Sequence, residues 1–323
     1  MKQLCSLILA LGLLGCPSDP PEVFTNVWPP NSGLIQVESI DTGTFSLQAV
    51  PETGWQFDHW NGPVADPGSN QTTIEISQDQ LCQAVFKSDE PIFGEGTRII
   101  GFAGFDWTVR RSDLPTTPGV NYFSDSSEAV WVDEQGLHLT LTWQEGKWWC
   151  SEVILNACLG YGTYTFKTRG RVDQLDPNLV LGIFTWDPGA SEQYHRELDI
   201  EFSRWGNPIN EIGQYVVQPC DASAECPDQY QRFNLELTDE TIDLVHVIVW
   251  QNESVEFLTY YTKPGTDGSE IGKLACRWKY SGEFVPKPGL ENIRFNLWLV
   301  DGNPPQNGLG EELIITDFSW QHP

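Results

Sequence analysis

The chain has 323 residues and a formal net charge of −27, and its hydrophobic content of 40% is sufficient for a packed core. So acidic a surface repels phosphate backbones, which argues against nucleic acid as a partner. The 14 Trp residues fit either stacking on sugar rings or the core of a large β-sandwich.

The N-terminus has the pattern of an export signal. Met1 and Lys2 precede the apolar run LCSLILALGLLG, which is short for a membrane span but has the length of a signal-peptide core. The run ends in LLGC, which resembles the lipobox of bacterial lipoproteins and implies lipidation at Cys16. The alternative is an ordinary signal peptide cleaved nearby. With Pro17 next, we expect an exported lipoprotein at the outer membrane or cell surface, attached to the membrane only through its lipid.

We divide the chain into a signal peptide (1–15), a Pro-rich tether (16–22), a small β module (23–88) and a large all-β domain (92–323). In the small module, short alternating runs are separated by Gly, Pro, Asn and Asp, which predicts strands and turns. The segments GTFSLQAVPETGWQFDHWNG and LCQAVF resemble the internalin-type B-repeat of bacterial surface proteins. The resemblance implies a spacer or weak adhesion module with its aromatic residues in the core.

From about residue 99 to Pro323 the chain continues as strands and turns. Runs such as LHLTLTW, LVLGIFTW, ELDIEF, VHVIVW and IRFNLWLV alternate or are continuously apolar, and no amphipathic helix is predicted between them. Strands over this length predict an all-β fold, an antiparallel two-sheet β-sandwich of the jelly-roll type. The sequence contains no phosphate-binding glycine motif and no nucleophile elbow.

Export places the later cysteines in an oxidising compartment. An even number of cysteines in such a compartment predicts disulfides, and the six that follow Cys16 are Cys82, Cys150, Cys158, Cys220, Cys226 and Cys276. Cys220 and Cys226 are the most plausible local pair. No cysteine or histidine spacing indicates zinc. We expect no cofactor, and a structural calcium ion stays open without a ligand set.

The stretch ELDIEF carries three acids in alternation. In a strand, Glu197, Asp199 and Glu201 share one face. Because same-face neighbours lie roughly 6.5–7 Å apart, these carboxylates repel one another. The opposite face carries Leu198, Ile200 and Phe202. Glycoside hydrolysis uses such crowding because it raises the pKa of one carboxyl and keeps it protonated. Spacing alone leaves catalysis, an exposed acidic strand and cation binding open.

ELDIEF also resembles the signature of glycoside hydrolase family 16, a family of concanavalin A-like jelly-roll glucanases. Similar segments occur in that family's order, namely SEVILNACLGYGTYTFKTR, HVIVWQNESVEFLTYY and IRFNLWLVDG. The likeness covers about residues 99–321 and implies an endo-acting, retaining hydrolase. It implies that Glu197 is the nucleophile, Asp199 the assisting acid and Glu201 the acid/base. It further implies a β-linked polysaccharide substrate, with a β-1,3- or mixed β-1,3/1,4-glucan favoured, and we expect a monomer.

Three segments near the acids depart from the family pattern, namely GASEQYHR, LGIFTWDP and GQYVVQP. In the second of them, Phe184 and Trp186 stand where Ala-x-Trp is usual. Because these segments contribute to the substrate cleft, the glucan specificity stays open. A surface lectin without turnover and a transglycosylase with the same carboxylates are the alternative functions.

Further sugar contacts are expected from side chains around the acids. Trp186 belongs to the cleft by the resemblance. Trp205 continues the parity of the acids and suits stacking on a sugar ring, unless the strand has already ended. His195, on the N-terminal side of the acids, shares their parity and is expected to border the site. The alternative is that His195 supports the site without contacting sugar or is simply exposed. Gln214 and Gln218 share a parity on the next strand and suit hydrogen bonds to sugar hydroxyls, with a plain polar face as the alternative.

Overall fold

A computed structural model of the chain describes residues 21–28, 32–87, 98–220, 228–238, 242–263 and 270–322. The predicted signal peptide and the lipidation site Cys16 lie outside the described residues. Within the described ranges, no helix has the length and apolar character needed to cross a membrane.

The N-terminal module consists of two three-stranded sheets. Its strands are β1 (Val23–Trp28), β2 (Gly33–Asp41), β3 (Thr44–Pro51), β4 (Gln56–Asn61), β5 (Gln71–Glu75) and β6 (Gln80–Lys87). Strand β6 pairs in parallel with β1 and antiparallel with β4, whereas β3 lies between β2 and β5. The module core contains Leu47, Trp60, Ile74, Cys82 and Phe86. Aromatic residues of the repeat-like pattern thus pack inside the module.

The larger part of the chain is built almost entirely from strands. They are β7 (Arg98–Phe102), β8 (Phe105–Val109), β9 (Ser112–Thr116), β10 (Asn121–Phe123), β11 (Val130–Asp133), β12 (Gly136–Gln144), β13 (Lys147–Leu155), β14 (Gly162–Arg169), β15 (Leu179–Trp186), β16 (Leu198–Ser203), β17 (Gly213–Val217), β18 (Tyr230–Phe233), β19 (Asp243–Gln251), β20 (Ser254–Thr262), β21 (Ile271–Tyr280), β22 (Asn292–Leu299) and β23 (Glu311–Gln321). Short 3-10 helices are present at Val172–Gln174, Ser191–Arg196 and Val300–Gly302.

All of these strands except β9 and β10 form two large antiparallel sheets. The first sheet has the order β7–β8–β13–β22–β15–β16–β17–β18. The second has the order β11–β12–β23–β14–β19–β20–β21. Strands β12 and β13 also pair with each other and connect the two sheets. The predicted all-β fold, an antiparallel two-sheet sandwich, is therefore confirmed.

Aromatic side chains from both sheets fill the space between them. Trp107 and Phe295 of the first sheet stack with ring centroids 4.8 Å apart. Phe166 of the second sheet meets Phe295 edge-on at 5.7 Å and stacks on Phe318 at 5.4 Å. Three fully buried side chains of β16 belong to the same core, namely Leu198, Ile200 and Phe202. The alternate residues of β16 must therefore project from the other face of the first sheet.

The disulfide prediction is wrong for four of the six cysteines, because Cys82, Cys150, Cys158 and Cys276 are free. Three of them are buried in separate clusters: Cys82 in the module core, Cys150 in the sandwich core, and Cys158 where the two parts meet. Burial raises the pKa of the Cys82 and Cys150 thiols to about 12. Cys220 is disulfide-bonded, whereas Cys226, predicted to pair with it, lies outside the described residues.

The module packs directly against the sandwich. Trp28, Leu81 and Val85 of the module form an apolar cluster with Cys158 of the sandwich. The backbone N–H of Cys158 also donates a hydrogen bond of 2.9 Å to Gln83 Oε1. Apolar packing and a buried polar contact thus hold the two parts together.

Candidate active site

The three acids line one cleft on the outer face of the first sheet, with a cavity volume of about 310 Å³. Asp199 and Glu201 belong to β16, and Glu197 precedes that strand in extended conformation. Glu197 and Glu201 are partly exposed, whereas Asp199 is only 3% exposed. The exposed acidic strand is therefore the wrong alternative, because Asp199 is buried and the two glutamates are only partly exposed within a cleft.

Burial is the largest cause that raises the pKa of all three carboxyls. Repulsion from Glu201 raises the pKa of Glu197 further, and both glutamates raise the pKa of Asp199. Because the groups interact, their protons leave in steps that belong to the whole cluster. The cluster therefore retains protons at pH values where exposed carboxyls are fully ionised.

A hydrogen bond between Asp199 and Glu197 shifts the pKa values of these two carboxyls in opposite directions. It lowers the pKa of Glu197 and raises the pKa of Asp199. The favoured arrangement therefore has the proton on Asp199, which donates it in the hydrogen bond to the Glu197 carboxylate. The positive charge of Arg294 also favours the ionised form of Glu197.

Two glutamines of the neighbouring chain segment donate hydrogen bonds to Glu201 and Asp199. Gln214 lies opposite Glu201 on β17, and its Nε2 donates to Glu201 Oε2 at 2.6 Å. Gln218 Nε2 donates to Asp199 Oδ2 at 3.2 Å, while its Oε1 accepts from the Cys220 N–H at 2.6 Å. Both side chains were predicted to contact sugar hydroxyls. In the structure their amides orient the acids.

Trp186 lines the cleft, whereas His195 is not among the lining residues and contacts Trp186 instead. The His195 ring stacks on the Trp186 indole at 3.9 Å between centroids, with an interplanar angle of 10°. His195 lies in the 3-10 segment Ser191–Arg196 with a φ of +57°, so the strand parity assumed for it does not apply. Its imidazole Nδ1 bonds the Asp187 carbonyl oxygen at 2.9 Å, which fixes the ring under Trp186.

Trp205 is not among the residues that line the cleft. Strand β16 ends at Ser203, and Trp205 has a φ of +52°, so the predicted continuation of the parity is wrong. The indole packs partly buried against the sandwich core, and its ring meets that of Trp298 edge-on at 5.9 Å. Since Trp298 does line the cleft, Trp205 supports a cleft aromatic from the side.

The chain is similar to solved β-glucanase structures. These include a Bacillus licheniformis beta-glucanase, with 17% identity, 72% of this chain and 97% of that chain covered, and a TM-score of 0.49. A laminarinase from Flavobacterium sp. UMI-01 has 8% identity, coverages of 67% and 93%, and a TM-score of 0.48. A Bacteroides ovatus GH16 protein in complex with a G4G4G3G product has 12% identity, coverages of 67% and 94%, and a TM-score of 0.48. No family model matches the chain, and no curated protein matches it.

An ion-pair network that the sequence did not suggest lies in the same cleft. Glu152 of β13 accepts hydrogen bonds from Arg110 Nη1 at 2.8 Å and Arg294 Nη1 at 3.0 Å. Asn296 Nδ2 adds a third bond at 3.2 Å. The side chain of Glu152 is 1% exposed and those of Arg110 and Arg294 are 11% and 7% exposed. The buried carboxylate is thus neutralised by two guanidinium groups.

The alternating pattern of the segment IRFNLWLV could have indicated part of this network. Arg294, Asn296 and Trp298 occupy alternate positions there, between Ile293, Phe295 and Leu297. In a strand this pattern predicts a polar face with an aromatic at its end. The cross-strand pairing of β22 with β15 places this face beside the acids, and all three side chains line the cleft.

Metal binding was the third alternative for the acidic strand. Among the described residues, no group of three or more His, Cys, Asp or Glu side chains is arranged to hold a metal ion. Glu197, Asp199 and Glu201 therefore do not form such a group. Their partners in the structure are each other, Gln214 and Gln218.

Proposed function

We propose that the protein is an endo-acting, retaining glycoside hydrolase of a β-linked polysaccharide, with a β-1,3- or mixed β-1,3/1,4-glucan favoured. The observation that carries this proposal is the set of three carboxyls with raised pKa that share one cleft on the first sheet. The substrate preference rests on the sequence resemblance to glycoside hydrolase family 16.

In the first step, the Glu197 carboxylate attacks the anomeric carbon and forms a glycosyl ester. The bond from that carbon to the leaving oxygen breaks, and Glu201 donates its proton to that oxygen. The hydrogen bond from Asp199 and the charge of Arg294 favour the ionised form of Glu197 that the attack requires, against the raising effects of burial and Glu201. Burial raises the pKa of Glu201, which keeps the proton available for the leaving group.

In the second step, Glu201 as a carboxylate removes a proton from water. The resulting hydroxide attacks the anomeric carbon, the ester bond breaks, and Glu197 leaves as a carboxylate. Two inversions give net retention. Gln214, which bonds Glu201 Oε2, stabilises the carboxylate form that this step requires.

The proposed substrate contacts come from the residues around the acids. Trp186 and Trp298 offer aromatic faces to sugar rings at the two ends of the paired strands β15 and β22. Asn296 lines the cleft between them.

The first test compares the wild-type protein with Glu197→Gln in a reducing-end assay on laminarin, lichenan, agarose and carrageenan. We expect the wild type to release oligosaccharides from a β-glucan and the variant to bind the polymer without cleaving it. Proton NMR of the first products should show the β-anomer. Equal binding by both proteins without product from any polymer would favour the lectin, and products longer than the substrate would favour the transglycosylase.

Azide rescue assigns the two glutamates separately, because azide attacks the anomeric carbon at a different step in each variant. With Glu197→Ala, azide attacks the anomeric carbon directly, and we expect an α-glycosyl azide. With Glu201→Ala, azide intercepts the glycosyl ester, and we expect a β-glycosyl azide. A β-product from the first variant would contradict Glu197 as the nucleophile.

We also propose that the protein is exported and anchored by lipid at Cys16. The support is the sequence LLGC at the end of a short apolar run. Membrane fractionation of wild type and Cys16→Ala tests this proposal. The variant should be released from the membrane fraction, and unchanged attachment would contradict lipidation at Cys16.

A further inference from the structure

The module meets the sandwich beside the segment that leads into Glu197. Asn26 of β1 donates a side-chain hydrogen bond to the carbonyl oxygen of Gly289. The ammonium group of Lys287 lies 6.0 Å from the ring centroid of Phe24. The module therefore contacts the segment 287–290, which lies in the connection between β21 and β22.

The other side of this segment contacts Arg196 and Asp187. Arg196 Nη1 donates to the Lys287 carbonyl oxygen at 2.5 Å, and the Leu290 N–H donates to Asp187 Oδ2 at 3.0 Å. Gly289 lies directly against Arg196, because a Cβ added at Gly289 would have to displace the Arg196 guanidinium. The segment 287–290 is thus held between the module and the Arg196–Asp187 pair.

Arg196 and Asp187 in turn join the two ends of the loop before β16. Arg196 Nε donates to Asp187 Oδ2 at 2.9 Å, and the Asp187 N–H donates to the His195 carbonyl oxygen at 2.7 Å. Thr185 Oγ1 donates to the Arg196 carbonyl oxygen at 2.8 Å. These bonds fix the backbone immediately before Glu197.

The same backbone adopts an unfavourable conformation. Tyr194, His195 and Arg196 have φ values of +52°, +57° and +53°. Non-glycine residues populate this region rarely, and three in succession persist only where surrounding contacts impose them. The contacts of Arg196 and Asp187 supply that constraint at the residue next to Glu197.

We infer that Arg196 and Asp187 are positioning residues for Glu197, and that the N-terminal module reinforces them through Asn26 and Gly289. The inference rests on the proposed function, since it concerns the placement of the proposed nucleophile. It assigns the module a part in catalysis, in place of the spacer or adhesion role expected from its sequence. A nucleophile displaced by about 1 Å loses on the order of 100-fold in rate, so a modest loosening of this loop has a measurable effect.

Two matched variants of the full chain separate this role from general stability. Asn26→Ala removes the module's hydrogen bond to the segment 287–290, whereas Gln83→Ala removes its hydrogen bond to Cys158. With both proteins assayed well below their unfolding temperatures, Asn26→Ala should lower kcat on the order of tenfold with KM unchanged. Gln83→Ala should leave kcat unchanged. Equal kcat values for the two variants would overturn the role of the module.

Variants of Arg196 test the positioning itself. Arg196→Ala should lower kcat by up to about 100-fold with little change in KM. Arg196→Lys keeps a cation beside Asp187 and should restore part of the loss. Wild-type kcat in Arg196→Ala would overturn the inference for Arg196.

Hydrogen–deuterium exchange gives a readout that needs no substrate. Peptides that cover residues 188–197 should exchange faster in Asn26→Ala than in wild type and Gln83→Ala. If the wild-type protein cleaves no glycan, the proposed function fails, and exchange alone decides whether the module holds this loop. Identical exchange in all three proteins would overturn the coupling.

Discussion

Gln214 Nε2 donates a 2.6 Å hydrogen bond to Glu201 Oε2, across the pair of strands β16 and β17. This bond stabilises the carboxylate and lowers the pKa of Glu201, against the larger raising effect of burial. Glu201 must be protonated to act as the general acid, so activity falls when it ionises at alkaline pH.

Gln214→Leu should therefore move the alkaline limb of the kcat profile to higher pH. The limb moves to higher pH because removal of a donor to the carboxylate raises the pKa of Glu201 further. The measurement is the pH dependence of kcat on the β-glucan that the wild type cleaves best. Gln231→Leu is the control, since the exposed Gln231 bonds only the neighbouring backbone. A limb that stays in place or moves to lower pH would contradict the role of Gln214.

Glu152→Ala should destabilise the protein by about 3–5 kcal/mol, because it leaves the buried guanidinium groups of Arg110 and Arg294 without their carboxylate. Urea denaturation measures the change in the free energy of unfolding. The control is Glu270→Ala, which breaks an ion pair with Lys263 whose two side chains are both 56% exposed. That variant should lose about 0–1 kcal/mol. Equal losses would show that the buried network does not contribute as its geometry indicates.

Glu291→Gln should reduce the decrease in the free energy of unfolding that occurs between pH 4.5 and pH 7. Burial raises the pKa of Glu291 from 4.5 to about 7. The folded protein therefore binds this proton more tightly than the unfolded chain, and the stabilisation present below pH 4.5 is lost as pH rises through about 7. The variant lacks this titration, so its free energy of unfolding should fall by about 3 kcal/mol less across this range.

Urea denaturation at several pH values measures this slope. Glu192→Gln, at an exposed position, should follow the wild-type slope. Parallel slopes for wild type and Glu291→Gln would contradict the raised pKa of Glu291. The other buried carboxyls titrate in all three proteins, so only the difference between slopes reports on Glu291.

Thiol alkylation followed by peptide mass spectrometry should label Cys276 in the native protein before Cys82, Cys150 and Cys158. The three fully buried thiols are shielded, and burial raises their pKa, so little reactive thiolate is present. Unfolding in urea without a reductant should make all four react. Failure of any of them to react after unfolding would indicate a disulfide that the structure lacks.

The sequence was a sound guide to the face of β16 on which each residue lies. Period-2 alternation is a local property of a strand, so it correctly assigned Leu198 and Ile200 to the core and Asp199 and Glu201 to the opposite face. It failed at both ends of the strand. The turn at His195 depends on contacts with Asp187 and Trp186, which come from the preceding strand and loop.

Long-range pairing accounts for the other failures. Arg110, Glu152 and Arg294 come from three separate parts of the chain, and the order of strands in the first sheet brings them together. Alternation shows which side of a strand a residue occupies but not which strand lies beside it. The cysteines failed for a related reason. The expected oxidising compartment and the even number of cysteines favoured disulfides. A disulfide requires two neighbouring thiols, however, and Cys82, Cys150 and Cys158 are buried in different clusters.

The apolar cluster of Trp28, Leu81, Val85 and Cys158 has a consequence for solubility. A chain cut between the module and the sandwich would uncover apolar surface on both fragments, and such patches promote aggregation. The cut would also leave the Cys158 N–H without its acceptor on Gln83. The two parts, although distinct in their sheets, should therefore be produced, stored and unfolded as one body.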